Sequence, residues 1–244
     1  MDDQVRRLVD KAWKRFQDVP QDQRFMIAIS GIPGSGKTTL SQTVTNELNR
    51  LHQAQYPGAE PVAAFCPMDG YHLTREQLSA MPDPANAHAR RGAEFTFDGP
   101  AFLALVKALR KPLPLAGAGG SEETSTIFAP SFDHAVKDPK ENDIPLRGHH
   151  RIVVFEGNYV CLDQEPWREA AGLMDERWFV EVDFDVARAR LVRRHVKAGI
   201  AADEEAAGRR ADENDLVNGR QVVENKVQID EVVYSREDQS WKHE

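Results

Sequence analysis

The sequence is short of cysteine, of positive charge and of long apolar runs, and each shortage excludes something. Cys66 and Cys161 are the two cysteines, and no spacing pairs them. Two lone thiols suit a reducing compartment better than a disulfide framework. No His/Cys spacing suggests zinc, and His88, His149 and His150 fall into no usable pattern. No apolar stretch approaches the ~20 residues of a membrane-spanning helix. The N-terminal stretch is charged and helix-like, without the apolar centre of a signal sequence, so a cytoplasmic location is expected. Lys and Arg number 31 against 39 Asp and Glu, a formal net charge of −8. That balance argues against non-specific nucleic-acid or bilayer binding, which needs a basic surface. A small anion can still be held in a locally positive site. No internal repeat is present.

What is present suffices for a globular fold with a sizeable core: 244 residues, 41% hydrophobic and 29% charged, read as a single domain. A helix is predicted over residues 2–16, where Val5, Leu8, Val9, Ala12, Trp13 and Phe16 recur at helical spacing. It is expected to pack on a sheet, with a partner-binding helix as the alternative. Strands are predicted over 24–30, 62–66, 151–155, 178–182 and 229–234. The unbroken apolar run at 151–155 suggests burial on both faces. Helices are predicted over 37–53, 74–80, 100–110, 166–174, 185–198 and 212–227, the third N-capped by Asp98. Between them are expected a loop rich in proline and alanine after residue 80, a flexible loop at 111–125, a short strand at 125–129, a polar stretch to Arg147 and an acidic connection at 203–208. Strand–helix alternation predicts a parallel three-layer α/β domain.

One stretch carries chemistry at once. Gly31-Ile32-Pro33-Gly34-Ser35-Gly36-Lys37-Thr38 follows a predicted strand and opens a predicted helix. It fits the phosphate-binding spacing G-x-x-x-x-G-K-[ST]. Glycines let the backbone wrap phosphate oxygens, and backbone N–H groups with the positive end of the helix face the anion. Lys37 can reach the outer phosphates of a nucleoside triphosphate, and the Thr38 hydroxyl can bind Mg²⁺. Gly31, Pro33, Gly34, Ser35, Gly36, Lys37, Thr38 and Thr39 are the expected nucleotide-binding set.

Ligands of open α/β sheets sit beyond the carboxyl ends of the strands. Asp69 after the second strand and Glu156 after the third therefore face whatever the loop holds. Asp69 is placed to take a proton from an attacking hydroxyl, and Glu156 to hold Mg²⁺ directly or through water. Arg190, Arg194 and Lys197 lie close to one helical face, ahead of a lid predicted over 199–210. Closing that charge over the phosphates would exclude water. For Arg90 and Arg91, a substrate-loop role and a solvated one stand equal.

The set Gly31–Thr38, Asp69-Gly70-Tyr71-His72, Thr96-Phe97-Asp98, Phe132-Asp133 and Val154-Phe155-Glu156-Gly157 resembles the P-loop kinases that include uridine kinase, phosphoribulokinase and bacterial pantothenate kinase. A fungal and bacterial nucleoside/nucleotide-kinase-like subgroup is more similar still. The resemblance spans nearly the whole chain. It implies a P-loop NTPase fold with a five-stranded parallel sheet, a small lid and acceptor-binding insertions, and phosphorylation of a small molecule's hydroxyl with ATP and Mg²⁺. It implies Asp69 as general base, Glu156 and Thr38 on the metal, and Lys37, Arg190 and Arg194 on the phosphates. The acceptor side is expected from Asp69, Tyr71, His72, Arg91, Phe97, Asp98, Phe132, Asp133, His134 and Tyr159.

Departures bear on the acceptor. Uridine kinases have a pyrimidine-reading histidine where this chain has Lys137, its own histidine standing at His134. Thr96 replaces an asparagine. These departures argue against a pyrimidine and leave the acceptor open; the resemblance implies a nucleoside-like or sugar-like molecule, with a pantothenate-type vitamin as the alternative. No nucleic-acid or membrane partner is expected, and assembly of identical chains stays open. A nucleotide-dependent switch is the contrasting class, but N-K-x-D is missing because Asn225-Lys226-Val227-Gln228 lacks the aspartate. Nor does an acidic pair close the third strand.

Overall fold

The structure, a computed structural model, describes residues 2–113, 126–133 and 135–236. In chain order it runs α1 (Asp2–Gln17), β1 (Phe25–Gly31), α2 (Lys37–Gln55), β2 (Ala63–Pro67), a 3₁₀ turn (Met68–Tyr71), α3 (Arg75–Ser79), α4 (Pro84–Ala89) and α5 (Gly99–Arg110). A hairpin of β3 (Ile127–Asp133) and β4 (Asp138–Leu146) follows, then β5 (Ile152–Glu156), α6 (Trp167–Gly172), β6 (Glu176–Glu181) and α7 (Phe184–Lys197). The chain continues through α8 (Glu204–Arg210), a π-helical turn (Ala211–Asp215), α9 (Leu216–Glu224) and β7 (Glu231–Tyr234).

Five strands form one parallel sheet in the order β2-β5-β1-β6-β7. Every residue of β1 and of β5 is buried, as befits central strands covered on both faces. Successive side chains alternate between two cores. Met26, Ala28, Val153 and Phe155 pack with Phe102 of α5 and Trp167 of α6. Phe25, Ile27, Ile29 and Val154 pack with Leu8 and Ala12 of α1 and Leu40 and Val44 of α2. The apolar stripe of α1 thus lies in the core and is not offered to a partner. The P-loop NTPase fold and its five-stranded sheet are as expected. Among the described residues no helix is long and apolar enough to cross a membrane.

Register fixes the site. Ile29 of β1 lies beside Glu156, and Glu156 lies beside Pro67 of β2. The carboxyl ends of three strands therefore finish side by side, where β1 gives way to the glycine-rich loop and β2 to the turn bearing Asp69.

Four elements differ from the sequence reading. The proline- and alanine-rich stretch contains α4, because Asp83 accepts the Asn86 amide and proline occupies the first turn. The acidic connection is α8, capped by Asp203 on the Ala206 amide. The polar stretch before Arg147 is β4, paired antiparallel with β3; mostly exposed polar residues give it no alternating apolar signal. The last long helix is split by the π turn at Ala211–Asp215. The flexible loop expected at 111–125 lies, beyond residue 113, outside the described residues.

A buried charge fastens α1 to the sheet. Glu176 is fully buried. It accepts hydrogen bonds from Lys11 at 3.1 Å, from the Trp178 indole at 3.0 Å and from Arg15. Replacing both Lys11 and Arg15 with Met strands that carboxylate without a cation, and should cost about 3–5 kcal/mol of unfolding free energy. Glu176→Gln, which removes the charge itself, should cost less. Denaturant titrations of the two variants check this, and equal losses would contradict it.

Candidate active site

Gly36 caps α2 with φ 87°, a left-handed backbone that glycine adopts freely, and lends the helix's first amides no side-chain cap. No acidic residue stands in that first turn either. The helix start is thereby an anion site built from N–H groups and the helix dipole. Pro33 and Ser35 are buried, and the Ser35 hydroxyl has no hydrogen-bond partner.

Lys37 reaches from this helix start towards the end of β5, its ammonium 3.8 Å from Glu156. Their side chains are only 12% and 7% exposed. Burial pushes the Glu156 carboxyl up to about 7; Lys37 opposes the rise, Asp69 adds to it, and the Thr38 hydroxyl and Arg194 oppose it. Burial likewise lowers Lys37, against the pull of Glu156, Asp69 and Asp215. Lys37 and Glu156 are therefore in contact, and Thr38 of α2, Asp69 of the 3₁₀ turn and Arg194 of α7 act on that pair. Asp69 is exposed on the 3₁₀ turn. The next residue, Gly70, lies so close to the hairpin that a Cβ would stand 2.1 Å from the Pro130 carbonyl. A side chain there would push the hairpin off the turn that carries Asp69.

The acceptor-side residues group around aromatic rings. His72 stacks on Phe97 and Phe132, with ring centres 4.0 and 4.8 Å apart, and its Nδ1 donates to the Asp69 carbonyl at 2.8 Å. Arg91 lies over the Phe132 ring, and Tyr159 packs edge-on against Phe97. Tyr71, His72 and Asp98 border a groove of about 410 Å³ between the turn, α5 and the hairpin.

Other expected residues have structural duties. Asp98 caps α5 through the Ala101 amide at 2.9 Å. Asp133 accepts the amides of Ala135 and Val136 and so shapes the hairpin turn. Arg190 of α7 donates to the Gly34 carbonyl at 3.2 Å and to Ser235 at 2.8 Å, tying the glycine-rich loop to the segment after β7. His134 lies outside the described residues.

The sequence reading missed a buried polar network beside this site. Arg90 donates to Asn214 and Asn218 at 2.9 and 2.7 Å. Asn214 donates to the Arg91 carbonyl at 3.1 Å, and the Tyr159 hydroxyl to the Gly92 carbonyl at 2.9 Å. His195 of α7 donates through Nε2 to Asp215 at 2.8 Å. The signal was the spacing Asn214-Asp215-x-x-Asn218: two amides four apart share a helical face, and amides on a buried face need partners.

Comparison with known proteins follows from that geometry. A family model described as Nephrocystin 3, N-terminal, matches residues 7–81, the segment from α1 through α3. Too little of the chain is covered to assign that family. An ATP-dependent kinase-like protein, notR′, of Aspergillus versicolor is 52% identical over 68% of this chain and 92% of its own length. A candidate uridine kinase of Schizosaccharomyces pombe is 39% identical over 86% of this chain and 83% of its own. The chain belongs to the uridine-kinase-like P-loop kinases. A solved structure of the same kind, a candidate fructose transport system kinase from Silicibacter sp. TM1040, is 29% identical, with a TM-score of 0.77 over 94% of this chain and 98% of that one. Among the described residues no three or more His, Cys, Asp or Glu form a metal cage. A uridine-kinase-like kinase needs none, because Mg²⁺ takes one or two protein oxygens and completes its shell with phosphates and water.

The Glu156 shift makes a testable statement about stability. Between pH 4.5 and about 7 the folded protein keeps a proton on Glu156 that the unfolded chain releases. Stability should therefore be greatest below pH 4.5 as far as this group is concerned, and fall as pH rises towards and through about 7. Glu156→Gln should remove that share of the slope when unfolding is followed across this range without divalent metal. An unchanged slope would contradict the shift.

Proposed function

We propose that this chain is an ATP- and Mg²⁺-dependent kinase that transfers the γ-phosphoryl group to a hydroxyl of a small nucleoside-like or sugar-like molecule. The carrying observation is the 3.8 Å contact of Lys37 with Glu156 at the Gly36-capped start of α2, with Asp69 near enough to act on both. Its support in kinship is that relatives covering most of the chain bear kinase names.

The donor phosphates are received by the amides that open α2 and by Lys37, with Arg194 adding positive charge from α7. Arg190 holds the loop's shape through the Gly34 carbonyl. Thr38 and Glu156 offer hard oxygen donors, and a carboxyl held near protonation beside a hydroxyl fits a divalent cation that would replace the proton. When bound, Mg²⁺ would supply positive charge to the β- and γ-phosphate oxygens. On the acceptor side, the rings of His72, Phe97 and Phe132 present a face on which a sugar or base can lie. Asp69 accepts the acceptor's hydroxyl proton as its oxygen bonds to the γ-phosphorus. The bond to the bridging oxygen breaks and ADP departs. Closure of the α8 segment would exclude water from this transfer.

Asp69→Asn should leave ATP affinity within about twofold and lower transfer by roughly 10²–10⁴-fold, the usual worth of a positioned base. Single-turnover transfer to an accepted alcohol, beside calorimetric ATP binding, reads both quantities. Full transfer by this variant would remove Asp69 from the role.

A further inference from the structure

The groove against α5 extends well beyond the residues that the proposed transfer uses. Its near end abuts the 3₁₀ turn. There the Asp98 amide donates to the Tyr71 carbonyl at 2.7 Å, and Pro130 of β3 closes on Gly70. Its far end lies along the last turns of α5. Arg24 donates to the carbonyls of both Leu109 and Arg147, and so brings the end of α5 beside Leu146, which pairs with Ile127. Ala101, Ala104 and Ala108 share one helical face and form the floor. Over that span the helix advances about 10 Å. Ile127 and Phe128 form the far wall, and Phe128 is half exposed. The far end is therefore apolar and open to solvent.

The near end is polar and of one sign. Tyr71, Asp98 and Glu141 line it. Tyr71 is only 5% exposed, and among the described residues its hydroxyl has no hydrogen-bond partner. A polar group left so is costly until something bonds to it. Asp98 gives Oδ1 to the Ala101 amide at the helix start. No Lys or Arg lines the groove. Lys140, next to Glu141, is held by Asp143 at 2.5 Å. His72, the remaining titratable group of the lining, stacks on Phe97 and Phe132. Burial, and then Cys66, Glu141 and Asp98, raises the Tyr71 hydroxyl, which keeps its proton and stays neutral.

The geometry points to this groove as a binding site for a small organic cation, with a protonated amine between Asp98 and Glu141 and an apolar body along the alanine floor. The amine would answer both carboxylates and bond to the Tyr71 hydroxyl. A carboxylate or phosphate in its place meets two like charges and no cation. Because Tyr71 is nine-tenths buried, a narrow chain reaches its hydroxyl and a protein surface does not. The site lies beyond the phosphoryl-transfer centre and stands whether or not the chain is a kinase.

Three probes of one chain length, roughly that of the floor, test it: n-octylamine, 1-octanol and octanoate. Each is titrated calorimetrically into the full chain near neutral pH. Octylammonium should bind at least about tenfold tighter than octanoate, with octanol between them. Ala104→Trp, at an exposed position on the floor, should weaken octylammonium at least about tenfold and leave ADP affinity within about twofold. Glu141→Gln should narrow the ratio of amine to carboxylate at least about threefold, and Glu141→Lys should narrow it further. Glu141 is exposed on the hairpin, so this pair carries the test if Ala104→Trp does not fold. Equal affinity for the three probes, tighter binding of octanoate, or a ratio untouched by both Glu141 variants would each overturn the proposal. So would octylammonium binding that a folded Ala104→Trp leaves intact, or failure of octylammonium to bind.

Discussion

The site depends on a carboxylate that the sheet forces into the wrong solvent. Glu156 ends a strand with neighbours on both sides, Ile29 in β1 and Pro67 in β2, and the cores above and below leave it almost no water. A buried carboxylate is costly alone, and this one is met by Lys37 and the Thr38 hydroxyl from the start of α2. The same contact anchors the glycine-rich loop to the third strand end. Asp69, on the adjacent strand end, raises Glu156 further, as one carboxylate does to another nearby.

Around that centre the arginines divide the work. Arg194 acts electrostatically on Glu156, and Arg190 serves the loop's backbone. Arg90 and Arg91 hold the segment after α4 to the π turn and to β4. The π turn is central to this division because its extra residue lets Asn214 face the loop while Asp215 faces His195. Such turns mark functional places in helices. The start of α2 is made from backbone and cations, whereas the groove beyond the 3₁₀ turn is bordered by aromatic rings.

How much of this was legible follows from what the sequence pattern encodes. The glycine-rich loop and the central strands were readable because their spacing and apolar runs are local. Asp69 and Glu156 were readable because strand ends point at the cleft. β4 was not, since its exposed polar residues carry no period, and α4 and α8 are short helices whose caps outweigh weak composition. The bond of Arg190 to the Gly34 carbonyl was not readable, because helical spacing says which face a residue occupies, not which carbonyl waits there. The link of Arg90 to Asn214 and Asn218 joins residues more than a hundred positions apart, and only tertiary structure can bring them together.

The central claim is that the loop at Gly31–Thr38 is the donor half of a two-substrate site. Its most direct measurement is ADP release from ATP and Mg²⁺ with and without a panel of nucleosides, pentoses, polyols and vitamins, the phosphorylated product being followed by mass. The account predicts release that depends on one class of alcohol, yields one phosphoryl group on that alcohol per ADP, and disappears in Lys37→Ala. Nucleotide turnover at the same rate with every compound and with none, alongside nucleotide-dependent binding of another protein, would contradict it and favour a switch.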